Sequence, residues 1–115
     1  MKVQIVFTFE EATLMLPLFN DYLDYYYEQY KNYEEMINPN IVNFIKESIK
    51  LLEDAIRLEI DVLLIARKEQ WFALQTMIVL IIEKRQAIND ECVIQKFEHC
   101  VNKLQSAANI IGGVA

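Results

Sequence analysis

The chain has 115 residues, 54% of them hydrophobic and 24% charged, with a formal net charge of −6. That size and hydrophobic fraction support one domain, residues 1–115, with a core of its own, and exclude an intrinsically disordered chain. Two glycines and two prolines exclude collagen-like and low-complexity sequence and disfavour a turn-rich β-sandwich, while the acidic balance makes nucleic acid and anionic membrane poor partners.

Residues 2–8, KVQIVFT, place Val3, Ile5 and Phe7 on one side, which predicts a short strand. A lone strand needs a partner, and pairing with its own copy across a two-fold axis is one way to cover its edge. The opening MKVQIVFTFEEA has no apolar run of signal-peptide type. Thr8 followed by Glu11 fits a capping box and starts helix 1 near Phe9. The next strong stop is Asn38-Pro39-Asn40, so the helix is expected to reach Ile37. Pro17 either kinks this helix or stands at its true start.

Helix 2 follows Pro39. Its apolar positions Ile41, Ile45, Ile49, Leu52, Ile56, Ile60 and Leu63 recur every three or four residues, the amphipathic helical period. Glu53 and Arg57 have i,i+4 spacing for an exposed ion pair. The most polar interruption afterwards is Arg67–Gln70, where a turn is expected. Helix 3, about residues 70–88, would bury Trp71, Leu74, Ile78, Ile81 and Ile82. Its apolar run from Trp71 to Ile82 is too short for a membrane span, which needs about 20 residues. Asn89-Asp90 caps helix 4, which runs to Gly112-Gly113 with Ile94, Phe97, Val101, Leu104, Ala108 and Ile111 inward.

The expected fold class is therefore all-α: a four-helix, bundle-like single domain with a short N-terminal strand. The alternative is α+β, with β-branched strands at 58–65 and 76–82 joining residues 2–8 in a small sheet.

The most distinctive segment is DYLDYYYEQYKNYEE, residues 21–35, which holds all six tyrosines. At about 100° per residue, Tyr22, Tyr26, Tyr30 and Tyr33 share a face with Met15, Leu18, Phe19 and Ile37. Glu10, Asp21, Asp24, Glu28 and Glu35 collect on the opposite face. Residues 1–39 carry two bases against seven acids, a balance of −5; the remaining 76 residues carry nine bases and ten acids, a balance of −1. One reading is a tyrosine-filled core face with solvated acids outside. The other is a recognition surface, because tyrosine is enriched at interfaces and a one-sign array attracts a basic partner. Tyr25 and Tyr27 fit the core face poorly and favour the second. The candidate partner-binding residues are Asp21, Asp24, Tyr25, Tyr27, Glu28 and Glu35.

Other chemistry finds little support. Cys92, His99 and Cys100, with Glu91 and Glu98, lack the paired spacing and fourth ligand of structural zinc. No phosphate loop, nucleophile motif or paired-carboxylate motif is present, so neither enzyme activity nor a cofactor or metal is expected. Two cysteines are too few for a disulfide framework; both are expected as small buried reduced thiols, in a cytoplasmic protein. Helix 3 is hard to bury in a small monomer, which points to a homodimer. These features fit an acidic protein-binding module, in the manner of inhibitors, antitoxins or immunity proteins that occlude a basic site. An assembly subunit whose apolar helices form a homo-oligomer is the first alternative. A small-molecule sensor with a helical-core pocket is the second.

Overall fold

The computed structural model describes residues 1–113; the last two residues of the expected domain lie outside the described part. Four helices and a two-stranded sheet surround one core. In chain order these are β1 (Lys2–Phe7), α1 (Phe9–Gln29), a 3-10 turn (Glu34–Met36), α2 (Pro39–Leu58), β2 (Val62–Arg67), a second 3-10 turn (Lys68–Gln70), α3 (Trp71–Gln86) and α4 (Glu91–Ile111). The architecture is mainly helical and bundle-like, as the periodicity predicts. α1 packs chiefly on α2 and α3 on α4, while β1 lies against α4 and β2 against α2. No helix among the described residues is long and apolar enough to cross a membrane.

Local chemistry sets several boundaries. The capping box at the start of α1 forms: Glu11 N–H donates to Thr8 Oγ1 at 3.1 Å, and Thr8 N–H donates to Glu11 Oε1 at 2.9 Å. Asn38 and Asp90 cap α2 and α4 through their side-chain oxygens. Pro39 occupies the first turn of α2, where its missing N–H costs nothing. Pro17 stands inside α1 on its exposed side, so α1 runs on through it.

Three expectations need correction. Helix 1 ends at Gln29, not Ile37, and the chain turns before the 3-10 segment Glu34–Met36. Tyr33 and Glu35 therefore leave the helical faces assigned to them, and Tyr33 is exposed. Helix 2 ends at Leu58 because Glu59 adopts a left-handed conformation, φ 54° and ψ 45°. Glu59 and Ile60 N–H groups bond back to the carbonyls of the last turn, and the chain leaves the helix axis. Ile60 and Leu63 are consequently exposed rather than inward. Finally, β1 pairs within its own chain, antiparallel to β2, with Lys2 opposite Arg67, Gln4 opposite Ile65 and Val6 opposite Leu63. Residues 76–82, the other strand candidate, are helical.

Side-chain detail also departs in places. Arg57 pairs with Asp54 at 3.0 Å rather than with Glu53. Trp71 is half-exposed and Cys92 is exposed, whereas Cys100 is fully buried. Trp71 folds over the end of α4, where a Cβ on Gly112 would come within 2.6 Å of its indole nitrogen. The glycine thus serves close approach.

Candidate functional site

α1 carries five acids and no base, and separates two kinds of tyrosine. Tyr22 and Tyr26 are buried and Tyr30 packs against the core, their rings in sequence at centroid distances of 6.2 and 4.9 Å. The Tyr22 hydroxyl is buried without a hydrogen bond. The neighbouring Thr76 hydroxyl is turned to the Phe72 carbonyl, to which it donates at 3.0 Å. Burial is the main reason that the Tyr22 phenol titrates above its ordinary range.

The other face is open. Asp21, Asp24, Tyr25 and Glu28 are all exposed, and their spacing of three, one and three residues puts them on one helical stripe. Tyr25 is 60% exposed, a large amphipathic ring held out on a rigid helix between carboxylates. Glu28 is paired with Lys31 at 2.6 Å. Among the described residues, Asp21 and Asp24 take part in no ion pair. Tyr27 sits at the flank toward α2, with Lys46 Nζ 5.7 Å from its ring centroid. Glu35 is exposed but belongs to the 3-10 turn, beside exposed Met36. The structure thus unites four of the six candidate residues, sets Tyr27 on the flank and puts Glu35 on a separate element.

The N-terminal acids of α1 are structural. Glu10 meets Lys96 of α4 at 3.3 Å, and buried Glu11 meets Lys103 at 2.6 Å. Burial alone would raise the Glu11 carboxyl, but the Lys103 ammonium and the Thr8 N–H outweigh it and hold the group below the ordinary carboxylate value. The same burial, with Glu11 nearby, pushes the Cys100 thiol up to about 12. Cys92 and His99 line an open groove of about 470 Å³ with Glu10, Lys96 and Lys103. No group of three or more potential ligands among the described residues is arranged to hold a metal.

A second surface was not anticipated. The outward side of the sheet carries Val6, Leu63 and Ile65, exposed by 48%, 43% and 40%. Leu51 of α2 and Ile110 of α4, also exposed, line the grooves on either side of the sheet, about 190 and 420 Å³ in volume. The outward side of an antiparallel sheet in water is usually polar. The sequence signal was the spacing of two in Asp61, Leu63, Ile65 and Arg67, which helical periodicity through the preceding residues obscured.

No family model matches the chain, no curated protein matches it, and no solved structure matches its fold.

Proposed function

We propose that the protein is a protein-binding module whose docking surface is the outward stripe of α1. The observation that carries this reading is the grouping of exposed Asp21, Asp24, Tyr25 and Glu28 on one face of a helix that contains no basic residue. Asp21 and Asp24 have no intramolecular cation to neutralise them among the described residues, so their field is directed at solvent. The partner this fits has a basic surface with a recess that accepts the Tyr25 ring. Carboxylates steer and orient such an encounter, and a buried aromatic ring supplies affinity at its centre. Tyr27 and Glu35 would extend the contact at its margin. An occluding mode of action, as in inhibitors, antitoxins and immunity proteins, follows from this physics. The setting we assign is the cytoplasm, because free thiols, one of them exposed, suit a reducing compartment.

Charge reversal provides the test. With Asp21, Asp24 and Glu28 all replaced by lysine, partner affinity should fall at least about tenfold at low salt. Wild-type affinity should itself decline as salt rises. A partner held at unchanged and salt-insensitive affinity would rule out this surface.

Assembly is the second reading. It is favoured by exposed Phe72 and Val79, seven residues apart on one side of α3.

A further inference from the structure

The outward side of the sheet differs from the α1 stripe in both location and chemistry. Along β2, the exposed positions read Asp61, Leu63, Ile65 and Arg67: an acid, two aliphatic residues and a base. Asp61 precedes the strand but keeps its alternation of exposure. Lys2 of β1 lies directly opposite Arg67, so one end of this face carries two cations. At the other end, exposed Asp61 supplies a carboxylate. Among the described residues, none of Lys2, Arg67 and Asp61 has an ion-pair partner in its own chain. Between the ends lie Val6, Leu63 and Ile65, with uncharged Gln4 opposite Ile65.

A surface that is cationic at one end, apolar in the middle and anionic at the other is complementary to itself when reversed. We infer that a second copy of this chain docks face to face on the sheet, about a two-fold axis that crosses the strands near Leu64. That axis sets the cationic pair of one copy against Asp61 of the other, and Leu63 of each copy against Ile65 of the other. The alternative two-fold, parallel to the strands, would oppose like charges at both ends, so charge selects the antiparallel arrangement. Sheets packed face to face lie about 10 Å apart, which lets the aliphatic side chains of both layers interdigitate. A six-residue strand spans only about 20 Å. The interface is small even with Leu51 and Ile110 at its flanks, and belongs with weak, concentration-dependent contacts.

Sedimentation velocity over a concentration series of the full chain tests this. Wild type should convert from monomer to dimer as concentration rises, with Leu63→Glu weakening association at least about tenfold while retaining its helical circular dichroism. Asp61→Arg and Arg67→Asp should each weaken it alone. An equimolar mixture of the two variants should form more dimer than either variant alone, because the Asp61→Arg copy then offers cations at both ends while the Arg67→Asp copy keeps Asp61 to meet one of them. A wild-type chain that stays monomeric throughout, a dimer indifferent to Leu63→Glu, or a mixture no better than either charge variant alone would each overturn the inference. None of these outcomes bears on the α1 stripe, whose residues are untouched.

Discussion

The Tyr26 hydroxyl oxygen accepts the backbone N–H of Asn38 at 2.9 Å, joining the buried side of α1 to the residue that caps α2. This bond assigns the tyrosine cluster two duties. Tyr22, Tyr26 and Tyr30 build the contact between α1 and the core, whereas Tyr25 faces water one residue away from Tyr26.

Removing the Tyr26 hydroxyl should therefore be costly in a way that removing its neighbour's is not. Tyr26→Phe leaves the Asn38 N–H without its protein partner, and should destabilise the fold by about 0.5–1.5 kcal/mol in urea unfolding. Tyr25→Phe should change stability by less than about 0.5 kcal/mol. Equal losses in the two variants would deny the division.

The Glu11–Lys103 pair ties α1 to α4 and should make the fold acid-sensitive. The folded-state pKa of Glu11 lies below its unfolded value of 4.5, so its stabilising effect is fully present above that value. It is lost as the pH falls through the lower folded value. Thermal melts of wild type between about pH 5 and pH 3 should show a steeper fall than those of Glu11→Gln. Parallel curves would show that the pair contributes nothing to the acid response.

Glu59 holds a backbone conformation that a residue with a Cβ resists, at a cost of about 1–2 kcal/mol. Glycine removes that cost but adds about 0.5–1 kcal/mol of unfolded-chain freedom. Glu59→Gly should therefore raise the melting temperature modestly, and Glu59→Val should lower it. A lower melting temperature for the glycine variant would mean that the Glu59 side chain makes a contribution of its own.

The same residue explains why the middle of the fold was hard to read in the sequence. Helix ends are legible where a breaker or cap marks them: Thr8, Asp90 and Gly112 lie at the termini where they were expected, and Pro39 stands in the first turn of α2. The end of α2 carries no glycine or proline, and glutamate makes the left-handed turn. Beyond it, Ile60 and Leu63 continue the helical period by coincidence. The strand VLLIAR hides its alternation because both of its sides are apolar. The end of α1 is equally unmarked, since the polar run after Gln29 has no breaker before Pro39. The α1 stripe itself was legible up to Glu28, because helical geometry holds for as long as the helix does. Glu35 lies past its end.

The two thiols should differ in reactivity. Cys92 is exposed, whereas Cys100 is buried and its thiol is pushed up to about 12. A thiol reagent at neutral pH should label Cys92 in the native protein and both cysteines after denaturation. Native labelling of Cys100 at a comparable rate would mean that the core between α1 and α4 opens readily.

The most direct measurement for the α1 stripe is quantitative affinity capture from the native host with three baits: wild type, the triple Asp21→Lys, Asp24→Lys, Glu28→Lys variant, and Leu63→Glu. A protein with a basic surface should be enriched by wild type and by Leu63→Glu, and be lost with the triple variant although that variant keeps its melting temperature within a few degrees. Recovery of the same proteins in the same amounts by all three baits would contradict recognition through this face of α1.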